Sequence, residues 1–136
     1  MSEKNHKTLV WFRNDLRLAD NPALYYAAEQ GAVLPVYIFD EEERPLGKDA
    51  SDWLLSSLHD LRASLKEKKA DLLVLKGKPQ ELLPSLVKAY ALTDVFWNRA
   101  YDKYSVQRDK NLKSTLQNDG VTCHTFKANL IVRLMN

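Results

Sequence analysis

Short β-rich runs and helical segments alternate along this chain, and this alternation constrains the fold more than any other feature. The five β-rich runs are almost continuously apolar and occupy residues 8–13, 33–39, 71–76, 94–98 and 121–126. Runs of this length and continuity are typical of strands that are buried on both faces of a sheet. Because helices separate them, we predict an α/β fold: a doubly wound, Rossmann-like parallel sheet of five strands in the order 3-2-1-4-5, with helices on both faces.

Four helical segments lie between the β-rich runs and carry the usual start and stop residues. The first begins with Asp20 or Asn21 as its cap, and the fourth spans residues 102–119. The second carries one apolar stripe of leucines, Leu54, Leu58, Leu61 and Leu65. This stripe is predicted to face the core. Pro84 lies inside the third segment, 79–90, and is expected to kink that helix or to split it.

Length and composition indicate one globular domain that spans residues 1–136. Of the 136 residues, 45% are hydrophobic and 28% are charged, which argues against disorder. The net charge of +2 does not favour nucleic acid or a membrane as a direct partner. The single cysteine excludes an internal disulfide and fits a reducing compartment. No apolar run approaches the length of a membrane span, so we expect a cytoplasmic protein.

The predicted strand order places a ligand crevice beyond the carboxyl ends of the first and fourth strands. The order of the strands reverses there, and ligands of open α/β sheets bind at such a point. Residues at the ends of three strands, and in the segments that follow them, would surround the crevice. The candidate cofactor-binding residues are Arg13, Phe39, Asp40, Trp53, Asn98, Tyr101 and Tyr104. Aromatic stacking and backbone contacts are expected to hold a planar ligand there.

The start of the fourth helix carries polar residues on its inner face. At 100° per residue, Ser105, Arg108 and Asp109 share a face with Leu112 and Leu116, which must pack on the sheet. Inward polar groups need partners. They either tie loops together, through ion pairs with the charged residues at positions 15 and 17, or contact a ligand, and we favour the ion pairs.

Arg13 ends the first strand at the same crevice. Its guanidinium can face Asp109 across the crevice or the carbonyl and phosphate groups of a ligand. Both roles require a planar cation with several donors, which lysine cannot replace. We favour the structural role, in which Arg13 pairs with Asp109.

Signatures of catalysis and of metal binding are missing from the sequence. There is no Gly-x-Gly-x-x-Gly motif and no other glycine-rich loop that could hold a phosphate. His6, His59 and His124 have no Cys, Asp or Glu at the spacing of a metal site, and Cys123 is expected to be a small core residue. We predict neither catalytic residues nor a metal site.

The segment 9–24, LVWFRNDLRLADNPAL, resembles the opening of the DNA photolyase and cryptochrome family. The family pattern is Trp-x-Arg-x-Asp-Leu-Arg-x-x-Asp-Asn-x-x-Leu, and this chain matches its fixed polar positions. Shorter matches follow in the same order, among them VYIFD at 36–40 and VFWN at 95–98. The resemblance covers about residues 8 to 132. Within the family, the sequence looks most like the bacterial class I photolyases, which act on cyclobutane pyrimidine dimers.

The resemblance implies the antenna domain of a light-dependent DNA repair enzyme, a deoxyribodipyrimidine photolyase. In this family the N-terminal α/β domain can hold a light-harvesting antenna chromophore: a deazaflavin, flavin mononucleotide (FMN) or a reduced folate. A C-terminal helical domain binds FAD and damaged DNA and splits the dimer, so it would be this chain's partner in the parent lyase. That domain is absent here, and the chain looks like a truncated or excised domain. Alone, it is expected to be inactive, to bind FAD weakly and to self-associate.

The residues of the known antenna pockets are not reproduced. Folate-binding members carry an Asn-Glu pair where this chain has Tyr104 and Ser105. Deazaflavin-binding members carry an Asp and a basic residue where it has Ala100 and Ala50. A different antenna, or an empty crevice, therefore stays open. Two other functions stay open as well: the N-terminal domain of a cryptochrome blue-light receptor, and a free-standing nucleotide-binding domain.

Overall fold

Strands and helices alternate as the sequence predicts. The computed structural model describes residues 7–12, 21–40, 48–99 and 103–127, without the side chains at positions 48–51, 53 and 104. The strands are β1 (Thr8–Phe12), β2 (Val33–Phe39), β3 (Leu73–Lys76), β4 (Asp94–Asn98) and β5 (Thr122–Phe126). The helices between them are α1 (Pro22–Glu29), α2 (Lys48–Glu67), α3 (Pro79–Tyr90) and α4 (Lys103–Asn118).

All five strands run parallel in one sheet with the order β3-β2-β1-β4-β5, which confirms the predicted topology. β1 is the central strand, and its Thr8 lies opposite both Val33 of β2 and Asp94 of β4. The chain moves outward from β1 through β2 to β3 and then crosses to β4 and β5, so the strand order reverses between β1 and β4. β3 and β5 form the edges, and their side chains are less buried than those of β1.

The side chains of the sheet alternate between two cores on opposite faces. On one face, Leu9 and Trp11 of β1 pack with α3 and α4; on the other, Val10 and Phe12 pack with α1 and α2. The predicted leucine stripe of α2 lies in the second core, where all four members are buried: Leu54, Leu58, Leu61 and Leu65. Burial of each such side chain contributes about 1.5–3 kcal/mol, so the two cores hold the helices on their faces.

Three details differ from the expectation. α3 runs through Pro84 without a break, so this proline does not split the helix. Proline removes one backbone donor, which leaves the carbonyl of Gln80 without its helical partner, and Gln80 is exposed to water. The second helix is expected to begin near Ser51, but α2 begins at Lys48, and β3 begins at Leu73 instead of residue 71.

Three helices end with a residue in the left-handed backbone conformation. After α3, for example, the N–H of Leu92 donates to the carbonyl of Val87, which closes the last turn. The left-handed residue is Gly120 after α4, but it is Lys69 after α2 and Ala91 after α3, with φ of 63° and 52°. A residue with a side chain is strained in this conformation by about 1–2 kcal/mol, and glycine is usual there.

We expect Ala91→Gly to stabilise the protein by about 0.5–1 kcal/mol, because the relief of strain exceeds the extra entropy of glycine in the unfolded chain. Thermal denaturation should show a melting temperature higher by a few degrees. The matched control is Ala89→Gly, at an exposed position inside α3, which should lower the melting temperature. A lower melting temperature for Ala91→Gly would contradict the assignment of strain to Ala91.

Candidate functional site

Trp11, Trp97 and Arg108 form a buried cluster under the carboxyl ends of β1 and β4, and we call these three residues the floor of the site. The two tryptophans are register partners on neighbouring strands, and their rings meet edge to face with centroids 5.5 Å apart. Both side chains face α4. The guanidinium carbon of Arg108 lies 5.2 Å from the centroid of the Trp11 ring, within the range of a cation–π interaction.

Two buried carboxylates hold Arg108 in this position. Its Nη1 lies 3.7 Å from Oδ2 of Asp40, and its Nε donates to Oδ1 of Asp109 at 3.3 Å. Arg108 is 4% exposed, Asp40 5% and Asp109 9%, and Ser105 is fully buried. Buried charges require such pairing, since an unpaired one pays a large desolvation penalty. The prediction that Ser105, Arg108 and Asp109 face inward is confirmed, and Asp40 of the β2 end supplies a second carboxylate.

On the other face of the sheet, two asparagines join the end of β4 to the start of α1. The N–H of Leu24 donates to Oδ1 of Asn21, which is the cap of α1, at 3.1 Å. The side chain of Asn98 donates to the same Oδ1 at 2.7 Å, and its own Oδ1 accepts from the N–H of Ala23 at 3.1 Å. Asn21 is therefore the cap, and two donors in the first turn of α1 are already used within the protein.

The site thus has two sides, one on each face of the sheet. Phe39 is half-buried at the end of β2 and packs against the core that contains α1 and α2. Asn98 at the end of β4 lies on the same face and contacts the start of α1. Asp40 follows Phe39 and reaches Arg108 on the α4 side. The two sides meet at the strand-order reversal, and a ligand above the carboxyl ends of β1 and β4 would lie between them.

The structure places three of the seven candidate residues in full. It brings Asp40 to the floor and puts Phe39 and Asn98 on the opposite side. Trp53 and Tyr104 lie in α2 and α4, but their side chains are outside the described residues. Arg13 and Tyr101 lie outside them altogether, as do the charged residues at positions 15 and 17, so their predicted roles stay predictions.

Trp11 and Trp97 are members of the site that the sequence interpretation missed. Neither is among the seven candidate residues, because two tryptophans in neighbouring central strands are expected to be core residues, and both are indeed buried. The alternation of side chains between the two faces of a strand could have predicted their placement in the site. Residues 11 and 97 precede the carboxyl ends of two neighbouring strands and share parity with residues that pack under α4.

The side chain of His124 makes contacts within the sheet. Nε2 of His124 lies 2.8 Å from Oδ2 of Asp94, and the His124 ring stacks on Phe96 with centroids 4.1 Å apart. Within the part of the chain that the structure describes, no group of three or more His, Cys, Asp or Glu could hold a metal ion. The same described residues include no helix that is long and apolar enough to cross a bilayer.

Fold and site together define a doubly wound α/β domain with a buried polar and aromatic cluster at the strand-order reversal. Comparison with protein families narrows this class. The family model described as DNA photolyase matches residues 8–135. The chain belongs to the DNA photolyase family, and its fold is that of the family's N-terminal α/β domain.

Individual relatives agree with this assignment. The chain is 40% identical to a deoxyribodipyrimidine photo-lyase of Agrobacterium fabrum over 96% of its own length and 28% of that protein. It is 38% identical to cryptochrome-1 of Sinapis alba over 93% of the chain and 26% of that protein. The chain therefore spans little more than a quarter of the length of these relatives.

Solved structures share the fold and refine one expectation. A bacterial class III photolyase from Agrobacterium tumefaciens matches with a TM-score of 0.86 and 40% identity over 93% of this chain and 27% of that one. An archaeal photolyase from Sulfolobus tokodaii, solved with two FAD molecules, matches with a TM-score of 0.77 and 26% identity over 89% and 29%. The family is as expected, but the similarity found is to class III and not to class I.

Arg108→Met should destabilise the protein by about 3–5 kcal/mol, because it leaves the carboxylates of Asp40 and Asp109 buried without their shared cation. Chemical denaturation monitored by circular dichroism measures this difference. Lys110→Met is the matched control, since Lys110 is exposed on the same helix, and it should change stability by less than about 0.5 kcal/mol. Similar stabilities for the two variants would contradict the role given to Arg108.

The thiol of Cys123 should react slowly in the folded protein. Burial raises its pKa to about 11, although Lys113 acts in the opposite direction. Since the thiolate is the reactive form, alkylation at pH 8 should be about 100-fold slower than in the urea-unfolded chain. The control carries Cys123→Ser and Ser114→Cys, which moves the thiol to an exposed site on α4. Equal alkylation rates for the folded parent and this control would rule out a buried thiol.

Proposed function

We propose that this chain is the antenna-chromophore-binding domain of a light-dependent DNA repair photolyase. The observation that carries the proposal is the buried floor of Trp11, Trp97 and Arg108 at the strand-order reversal of a photolyase-family domain. An antenna site must be rigid and poor in water. Close-packed aromatic rings and a cation fixed by two carboxylates meet both conditions.

The residues present fit a planar heteroaromatic ligand. The indole Nε1 of Trp97 is buried and has no hydrogen-bond partner among the described residues. A buried donor without an acceptor costs about 1–3 kcal/mol, and a carbonyl oxygen of a bound chromophore could accept from it. Phe39 is half-buried on the other side of the site and offers a ring for stacking.

The start of α1 limits how such a ligand can be held. The N–H groups of Ala23 and Leu24 are already satisfied by Asn98 and Asn21, so the start of α1 does not offer these donors to a phosphate. Recognition then depends on ring stacking and on polar contacts to the ring edge. A deazaflavin, FMN or a reduced folate bound there would absorb light and pass the excitation to a flavin elsewhere in the parent protein.

DNA repair itself is proposed for a longer parent. Relatives of this chain are more than three times its length, and FAD and damaged DNA are expected to bind in that additional part. The solved Sulfolobus photolyase is described as implying a novel light-harvesting cofactor, and it contains two FAD molecules. We therefore include FAD among the candidate antennas and expect no dimer splitting by the 136-residue chain alone.

A cryptochrome parent is the second candidate, because cryptochrome-1 of Sinapis alba is nearly as similar to this chain as the photolyase is. The site would hold the same class of ligand in both cases. Repair of cyclobutane dimers under blue light by the full-length parent would favour the photolyase, and light-dependent signalling without repair would favour the cryptochrome.

A free-standing nucleotide-binding domain is disfavoured by the same geometry. Dinucleotide-binding domains of this topology hold a pyrophosphate at the start of the first helix, after a glycine-rich turn. Here no glycine lies between β1 and α1, and two asparagines use the helix donors.

Fluorescence titration of the chain with a deazaflavin, FMN, a reduced folate, FAD and ATP tests the proposal. We expect one of the first four to bind with a micromolar or lower dissociation constant and ATP not to bind. Phe39→Ala should weaken that binding about tenfold through the loss of a stacking ring. Phe126→Ala is the matched control, since Phe126 is also half-buried at a strand end but lies at the sheet edge.

Three results would refute the antenna role: tight binding of ATP, no binding of any chromophore to the folded chain, or equal weakening by Phe39→Ala and Phe126→Ala. Thermal denaturation of both variants separates a loss of binding from a loss of folding.

A further inference from the structure

Helix α1 lacks the polar outer face that a surface helix usually has. Its sequence is PALYYAAE, and Glu29 is its only charged residue. Tyr25 is 62% exposed and Tyr26 is 47% exposed, while Ala23 and Ala27 face the core. Helices that are apolar all round are normally covered on both sides. The outer face of α1 therefore has the character of an interface.

A row of stacked rings continues this apolar face to the edge of the sheet. Tyr25 meets Tyr26 edge to face, and the ring of Tyr26 stacks on Phe126 of β5 with centroids 5.1 Å apart and an interplanar angle of 6°. Phe126 lies parallel to Phe96 of the neighbouring strand at 6.1 Å. The outer face of α1 and the edge strand thus form one continuous surface.

Among the described residues, β5 lacks the features that usually protect an edge strand. Within the described residues it pairs with β4 alone, and its sequence, TCHTF, has no lysine, acid or proline. Natural edge strands commonly carry such residues to prevent pairing with another chain. The opposite edge strand, β3, ends in Lys76. The edge strand β5 and the apolar helix α1 lie on the same side of the domain, since Tyr26 stacks on Phe126.

The charges beside β5 fit a second copy of the same strand. Asp119 lies before β5, Lys127 lies after it, and both are exposed. If two copies of β5 pair antiparallel around a two-fold axis, the end of one strand meets the start of the other. Lys127 of each copy then approaches Asp119 of the other, so the interface would contain two symmetry-related ion pairs.

We propose that two copies of this chain associate through β5. The two five-stranded sheets join into one continuous sheet across an isologous two-fold interface, and the α1 helices lie side by side over the joint. Tyr25 and Tyr26 of the two copies contact each other there. A second copy is the occupant because the interface is self-complementary in backbone, aromatic surface and charge.

Sedimentation velocity over micromolar to several hundred micromolar concentrations tests the proposal. We expect a reversible monomer–dimer equilibrium without larger species. Tyr26→Lys should raise the dissociation constant about tenfold or more, because it places a charge in the apolar joint. Tyr90→Lys is the matched control, since Tyr90 is 49% exposed at the end of α3, on the opposite face of the sheet. It should leave the constant unchanged.

A charge exchange tests the antiparallel geometry independently of the tyrosines. Lys127→Asp and Asp119→Lys should each weaken the dimer several-fold, and the double variant should restore it. Both positions are exposed, so the variants should keep their melting temperatures. The proposal is wrong if the chain stays monomeric throughout, if Tyr90→Lys weakens association as much as Tyr26→Lys, or if the double variant is not restored. Hydrogen-exchange protection of β5 in a strictly monomeric chain would show that the same polypeptide covers the edge.

Discussion

The burial of β1 on both of its faces is the constraint on which the rest of the structure depends. All five of its residues are buried, and its side chains alternate between the two cores. β2 and β4 both pair with it. A strand without any exposed side requires helices above and below the sheet, and the alternating chain supplies them.

The position of β1 also creates the functional site. Because β2 lies on one side of it and β4 on the other, the strand order reverses between β1 and β4, which is where ligands of open α/β sheets bind. Asn98 then ties β4 to α1 on one face, and Arg108 ties α4 to the end of β2 on the other. One contact is an amide that caps a helix and the other is a buried ion pair. Both connect a helix to the end of a strand beside the strand-order reversal.

The floor of the site combines close-packed aromatic rings with a cation held by two carboxylates, which fits the antenna role proposed above. Arg108 is held by Asp40 and Asp109, whereas Nε1 of Trp97 is buried without a hydrogen-bond partner among the described residues. The chain matches only about a quarter of the length of the related photolyases and cryptochromes, and the matched part is their N-terminal α/β domain. The proposed contact between two copies uses β5, Tyr25 and Tyr26, whereas the site uses Asn21 and Ala23 at the start of α1, so association and chromophore binding would involve different residues.

The sequence by itself determined the strand count, the parallel order, the leucine stripe of α2 and the inward direction of Ser105, Arg108 and Asp109. The leucine stripe and the inward polar residues follow from the helical period, and the strand count and order follow from the alternation of strands and helices together with the known topology of parallel α/β sheets. Only the tertiary structure decided which partners these groups meet: Asp40 and Trp11 for Arg108, and Asn21 for Asn98. These contacts join residues that are tens of positions apart, so they depend on strand register and helix placement, which no local pattern encodes.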